Sequence, residues 1–368
     1  MKIDHGTQFG LLGFIDPMIL LRLIHRLPSV GPRQWGRLLG VLGAGVGMLP
    51  LVAAQQLRHG NAIKQTTIDE PPVFIIGHWR SGTTHLHNLL SLDDQFGYVR
   101  MFDTVAPACS LVTRDWLPDL LSKVMPAKRP MDNMEWPMDA PQEEEIALAK
   151  LTPYSWYLQF LFPQDAVNTF ERYVLLEGAP EAARKEVTDQ ILRVLQTAAS
   201  QQPGKRLLLK NPVNTARIPQ LLSLFPDARF VYLRRSPHAV FPSTKNLHRK
   251  ILELTALQPW DEKLIEENVL EVYPRLLERY LQDRRLLKPN QLVEVDYENL
   301  ESEPLSVVKT IYRTLEIPGF EGAQTEMQNY LNGLKSYQKN QFGQLSARET
   351  ELVDSHWQLG MQDYRRAS

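Results

Sequence analysis

Cysteine is almost missing from this sequence: Cys109 is the only one in 368 residues. An intramolecular disulfide is excluded, and a lone thiol fits a reducing compartment, so a cytoplasmic location is expected. An excess of either charge is missing too. With 41 Lys and Arg against 42 Asp and Glu the formal net charge is −1. That balance argues against a general nucleic-acid binder and leaves room for a local basic pocket. No Cys/His cluster has zinc spacing and most of the nine histidines are scattered, so no metal is expected. There is no internal repeat and no low-complexity segment, and "MKIDHGTQFG" at the start lacks the layout of a cleavable signal.

Long apolar runs are scarce. Leu38 to Ala54, "LLGVLGAGVGMLPLVAA", is uncharged and flanked by Arg33, Arg37 and Arg58. It falls slightly short of the roughly 20 residues a spanning helix needs, and Pro50 interrupts it. Three readings stay open: a buried or lid-forming helix, an interfacial helix in peripheral contact with a membrane, and a true span. The preceding "IDPMILLRLIHRL" mixes apolar residues with arginine and histidine at helical spacing, which suits an interface or a partner helix.

Residues 1–66 read as a helical N-terminal region, closed by the polar stretch "RHGNAIKQTTIDEPP". Residues 67–368 read as one α/β domain. Within it "VFIIG" (Val73 to Gly77) is a short continuous apolar run, as expected of a strand buried on both faces of a parallel sheet. "RLLLK" (Arg206 to Lys210), "RFVYLRR" (Arg229 to Arg235) and "QLVEVDYENL" (Gln291 to Leu300) read as further strands, each followed by helical periodicity. Strands alternating with helices imply a P-loop-like three-layer fold around a central parallel sheet. Residues 101–202 read as a mostly helical insertion with proline-rich breaks, of the kind that builds a lid or substrate pocket.

The chemistry starts at "PPVFIIGHWRSGTTHLHNLL". Gly77 and Gly82 have the G-x-x-x-x-G spacing of a phosphate loop, but Thr83 stands where that loop needs lysine, and the cation is Arg80. Glycine still lets the backbone turn tightly, with N–H groups pointing inward at a helix start. Thr83 and Thr84 add hydroxyls, and an arginine can grip two oxygens at once. What is lost is the lysine that reaches the β- and γ-phosphates in a nucleoside triphosphatase.

A strand, then R-S-G-T-T, then a helix resembles the 5′-phosphosulfate loop of sulfotransferases that use 3′-phosphoadenosine-5′-phosphosulfate (PAPS). The arginine matches the bacterial and tyrosyl-protein branch rather than the cytosolic one. The resemblance implies that Arg80, Ser81, Gly82, Thr83 and Thr84 hold the donor. It also implies a second motif for the 3′-phosphate, and "FVYLRRSPHAVFPST" matches it with Arg235, Pro237 and Ser243. "LLLKNPVN" resembles the K-x-P segment, which gives Lys210, with Arg80, the role of neutralising charge on the transferring sulfuryl group. "VEVDYENLESEP" resembles the strand that places Tyr297 near the adenine. "SYQKNQFGQLS" resembles a basic closing loop, with Lys339 as a second 3′-phosphate contact. The resemblance runs from about Val73 to the C-terminus.

By the same resemblance the enzyme aligns an acceptor hydroxyl, less expectedly an amine, for in-line displacement at sulfur and removes its proton. The base is open. Asn214 occupies the position where many bacterial relatives have histidine, and the stretch where tyrosyl-type enzymes have glutamate offers Asp103. "DAPQEEEIALA" is a conventional helix start, with carboxylates favoured at the positive end of the dipole. It is also the stretch where similar relatives carry an acidic triplet. Glu143 is the first choice of base and Glu145 the second, with Glu144 between them; His78 and His85 flank the loop. The aromatic segment "TPYSWYLQFLF" and the apolar N-terminus point to a hydrophobic acceptor among small molecules, lipids and glycans. The competing readings are a P-loop nucleotide kinase or hydrolase, which would need G-K-[ST] and an acidic strand end, and a non-catalytic binder of 3′,5′-adenosine bisphosphate, which would have lost Arg80, Lys210 or Arg235.

Overall fold

The computed structural model describes residues 14–23, 30–123, 137–334 and 345–365; Lys339 lies outside them. The chain divides into two compact units. One comprises Ile68–Tyr98, Gln202–Asn246 and Glu266–Ser368, the other Met1–Thr67, Val99–Gln201 and Leu247–Ile265.

The first of these holds a five-stranded sheet in the order β2-β3-β1-β4-β5: β1 Val73–Gly77, β2 Phe96–Gly97, β3 Arg206–Lys210, β4 Arg229–Arg234 and β5 Leu292–Asp296. Every pairing is parallel, so the mixed α/β fold with a central parallel sheet expected from the sequence is what forms. The register sets Lys210 beside Ile75 and Leu233 beside Gly77. This places the carboxyl ends of β1, β3 and β4, where open parallel sheets carry their ligands, at one rim.

Alternation along the central strands explains their unbroken apolarity. Val73, Ile75, Leu208, Val231 and Leu233 pack on one face under the helices Thr83–Leu90, Pro304–Thr314 and Phe320–Gly333. On β1 and β4, Phe74 and Phe230 stack with centroids 5.5 Å apart, and Tyr232 stacks on Tyr280 at 3.7 Å. Strand β5 alternates buried and half-buried residues, as an edge strand should.

Three local expectations differ from the observed elements. The strand expected over 291–300 ends at Asp296, and Tyr297–Ser302 is a helix with Asp296 in extended conformation at its N-cap. No glycine or proline marks that change of period. Strand β2 is only two residues long, too short for an alternation to register. The apolar run around Pro50 belongs to one 31-residue helix, Trp35–Gln65. An internal proline removes one backbone bond, and here it falls on the exposed side.

The other unit is helical where described. Two apolar clusters stand out among its described residues. One joins Ile15, Ile19, Leu20 and Leu38 to Leu158, Leu161, Phe162 and Leu257. The second gathers Met101, Phe102, Val105, Leu117 and Leu121, with Met48, Leu51 and Val52 packed against it. Lys150 is fully buried and donates to the carbonyls of Thr104 and Val105, both at 2.9 Å. It satisfies the end of the short helix Met101–Val105, and burial pulls its ammonium down to about 7.

Candidate functional site

Strand β1 delivers the chain into the loop at Gly77, with φ +139°. A Cβ there would lie 2.5 Å from the carbonyl oxygen of Leu233 on β4, so only glycine lets the two strands stay paired up to the turn. The Thr215 hydroxyl braces the same residue. It accepts from the Gly77 N–H at 2.8 Å and donates to the Gly77 carbonyl at 3.1 Å.

Arg80 then takes φ +71° and Gly82 φ +91°. Gly82 is the N-cap of the helix Thr83–Leu90 and offers no side chain to the first-turn N–H groups. Such a helix start presents unsatisfied donors and the positive end of the dipole, which suits an anion. The hydroxyls of Ser81, Thr83 and Thr84 belong to the same turn; Ser81 and Thr83 are buried, and Thr84 is half-buried.

Two remote segments meet this loop. Arg80 Nε donates to Ser243 Oγ at 2.9 Å, across 163 residues of sequence. Arg235 donates to the Arg80 carbonyl at 2.8 Å, and its guanidinium lies 4.2 Å over the Tyr297 ring. The Cδ2–Cε2 edge of that ring lies against Gly82, where a Cβ would come within 2.3 Å of it. The loop, the R-x-P arginine, the downstream serine and the tyrosine after β5 are thus one constellation. The same contacts sharpen one expectation: the Arg80 side chain is directed at Ser243, the hydroxyl assigned to the second motif, while the turn itself offers backbone and hydroxyl donors.

Lys210 is buried at the end of β3. His87, on the helix behind the loop, is fully buried, and its ring nitrogen lies 3.3 Å from the Leu208 carbonyl. Burial first, then the charge of Lys210, depress its pKa to about 3. At neutral pH His87 therefore carries no charge beside Lys210. Asn214 and Thr215 follow Lys210 in the 3-10 turn Pro212–Ala216.

His78 lies among aromatic rings. Its Nδ1 pairs with the Trp79 carbonyl at 2.7 Å, and its ring packs 4.9 Å from Tyr273, which stacks on Trp357 at 3.9 Å. His85 lies over Tyr330 with centroids 6.4 Å apart.

In the helical unit, Glu143 is the N-cap of Glu144–Leu151 and is half-buried, and its carboxylate accepts a short hydrogen bond from the Tyr157 hydroxyl. Glu145 is fully buried and accepts from Ser155 Oγ at 2.7 Å and the Trp156 N–H at 3.1 Å, which anchors the 3-10 turn Trp156–Phe160. Glu144 is buried beside it. Asp103 is buried and accepts from Gln201 at 3.1 Å; burial pushes its carboxyl above the ordinary range.

Sequence reasoning missed Thr215, His87 and Tyr157. Thr215 was legible only as a helix start and Tyr157 only as part of an aromatic run. Nothing in the periodicity of "TTHLHNLL" separates His87 from its neighbours.

The family model described as the sulfotransferase family matches residues 71–322. Omega-hydroxy-beta-dihydromenaquinone-9 sulfotransferase Stf3 is 31% identical over 303 residues, in both Mycobacterium bovis and Mycobacterium tuberculosis. That match covers 82% of this chain and 77% of the relative. Among solved structures, sulfotransferase STF9 from Mycobacterium avium aligns over 93% of this chain and 87% of its own, with a TM-score of 0.69 at 21% identity. Sulfotransferase STF1 from Mycobacterium tuberculosis aligns over 76% of each chain with a TM-score of 0.52 at 20% identity, a likeness of fold. The family match over 71–322 and the mycobacterial relative agree: the chain belongs to the sulfotransferase family.

Proposed function

We propose that the chain transfers the sulfuryl group of PAPS to a hydroxyl of a hydrophobic small-molecule or lipid acceptor. The observation that carries the donor assignment is the joining of Arg80, Ser243, Arg235 and Tyr297 around the Gly77–Gly82 turn. Its donor set fits a ligand with two anionic groups and an aromatic base: two guanidiniums, several hydroxyls, a helix start and a ring face. A triphosphate donor would call for a loop lysine and an acidic strand end for Mg²⁺, and β4 ends in Arg234 and Arg235 instead.

In this reading the turn and the helix start hold the phosphosulfate, and Arg235 with Ser243 holds the 3′-phosphate. Tyr297, held by Gly82 at its edge and by Arg235 over its ring, supports the adenine. PAPS supplies a sulfuryl group that is already activated. The acceptor oxygen forms a bond to sulfur as the bridging O–S bond breaks, and the electron pair leaves on the phosphate oxygen of 3′,5′-adenosine bisphosphate. Lys210 stabilises that developing charge from within a low-dielectric site. The acceptor proton passes to a base, and Glu143 fits that role better than Glu145. Glu145 anchors the Ser155–Trp156 turn, whereas Glu143 is half-buried at a helix start with a phenol holding its carboxylate.

The hydrophobic-acceptor class draws support from the aromatic segment 152–162 and from the relative whose name gives a dihydromenaquinone derivative. Thermal shift with 3′,5′-adenosine bisphosphate against ATP plus Mg²⁺ tests the donor, and a larger shift with ATP would reverse it. Radiolabelled PAPS offered to lipid alcohols, small phenols and oligosaccharides tests the acceptor. Transfer to charged oligosaccharides alone would refute the hydrophobic class.

A further inference from the structure

The helix Trp35–Gln65 is at once tied down and exposed. Its buried residues, Leu38, Gly45, Gln55, Gly60 and Ile63, run nearly its full length. Gly45 comes so close to its neighbour that a Cβ would sit 2.6 Å from the Ile15 carbonyl. Gln55 donates to the Pro107 carbonyl and accepts from the Leu111 N–H, and Gln196 donates to the carbonyls of Lys64 and Thr66.

The side left uncovered should be polar in a helix facing water. Instead Trp35, Leu39, Val46, Leu49 and Leu57 stand out beside the buried stripe, Leu39 at 62% and Leu57 at 88% exposure. No charged residue occurs from Leu38 to Leu57, a length of about 30 Å. An 18-residue window has mean hydropathy 1.8 with only 17% of it buried. The helix Pro17–Arg22 packs into the same core as Leu38 and adds exposed Met18 and Leu21. The helix Leu117–Ser122 packs beside Met48, Leu51 and Val52 and adds exposed Leu120. Leu49 also lines a shallow groove with Phe14, Ile15, Met48, Val52 and Cys109.

Charge selects the occupant. Between Asp16 and Asp69 the sequence contains Arg22, Arg26, Arg33, Arg37, Arg58 and Lys64 and no carboxylate. Arg22 is paired with Glu186, and Arg37 donates to the Ala256 carbonyl; Arg58 and Lys64 are exposed on the helix itself. A second copy docking through the same patch would oppose like charges, whereas an anionic lipid surface neutralises them.

We infer that this face is a membrane-docking surface, with Trp35–Gln65 lying in the plane of an anionic bilayer. It does not cross the bilayer, because a span would have to withdraw the buried face from its own unit. The docking stands apart from the donor and acceptor assignments.

The test is co-sedimentation of the full chain with vesicles of phosphatidylglycerol and phosphatidylcholine, against phosphatidylcholine alone, at two salt concentrations. The comparison includes Leu39→Asp/Val46→Asp and, as a control, Leu286→Asp, an exposed leucine of the sheet unit. The expected result is salt-sensitive binding to the anionic vesicles, lowered at least tenfold in the double variant and unchanged in the control. Both variants should keep the wild-type thermal shift with 3′,5′-adenosine bisphosphate. Wild-type protein that stays in the supernatant, or a double variant that binds equally well, overturns the inference. So does equal binding to phosphatidylcholine alone. A dimer in light scattering that the double variant dissolves, without vesicle binding, would assign the face to a second copy. Membrane association that resists both salt and alkaline carbonate would mark a span.

Discussion

Replacing Gly82 by alanine loads two separable penalties on one position. The first is backbone strain: φ is +91°, and an L-residue in the left-handed region costs about 1–2 kcal/mol. The second is steric. The new Cβ would lie 2.3 Å from the Tyr297 ring, against about 3.4 Å for ordinary contact, so the ring must retreat by about 1 Å. Overpacking of that kind costs about 1–3 kcal/mol. A displaced ring also loosens its contact with Arg235, now at 4.2 Å and worth about 0.5–2 kcal/mol. Strain and overpacking together predict a loss of about 2–5 kcal/mol in urea denaturation, before any loosening of the Arg235 contact. Binding of 3′,5′-adenosine bisphosphate by isothermal calorimetry should weaken at least about tenfold, since the loop and the ring both move. The two penalties separate in a cycle with Tyr297→Ala. In that background Gly82→Ala should retain only its backbone cost, leaving a coupling of about 1–3 kcal/mol. Equal costs in both backgrounds, within about 0.5 kcal/mol, would refute the idea that the ring and the loop share this space.

Arg80→Ala and Arg235→Ala should each weaken 3′,5′-adenosine bisphosphate binding by about 10–100-fold in calorimetry, since each removes charge-assisted bonds to an anion. Thr215→Val keeps the shape but leaves the Gly77 N–H and carbonyl without their partner, and should lower stability by about 1–3 kcal/mol in denaturant titration. Glu143→Gln should leave nucleotide affinity within about twofold and lower kcat by about a hundredfold or more; a normal kcat would remove it as base. Hydrogen bonding to Arg348, then to Lys245, holds the Glu266 carboxyl down at about 2. With the unfolded value at 4.5, its contribution is fully present above about pH 5 and is lost as pH falls toward 2. Glu266→Gln should therefore flatten that part of an acid denaturation curve and leave the neutral range lower.

Burial geometry decides how much of this could be read in advance. Strands β1, β3 and β4 are covered on both faces, so their apolar runs are continuous and their ends fall where the runs end. Strand β5 lies at the edge, where alternation blurs, and "VEVDYENL" passes from strand to helix at Asp296 without a breaking residue. The helix through Pro50 was obscured by a proline whose lost bond faces outward. In the site, the positions visible in sequence are those whose backbone or charge admits few substitutes: Gly77 and Gly82 for conformation, Arg80, Lys210 and Arg235 for anions. The invisible ones act across the fold. Thr215 reaches Gly77 over 138 residues, and His87 is neutral only because it is buried near Lys210. The acidic run shows the limit most clearly, since Glu143, Glu144 and Glu145 are equivalent as letters. Only the Ser155 and Trp156 donors, ten and eleven residues further on, turn Glu145 into an anchor and set it apart from Glu143, the carboxylate proposed for proton transfer. An acidic triplet in a relative should be judged by the same criterion: the member that anchors the following turn is the wrong one to mutate first.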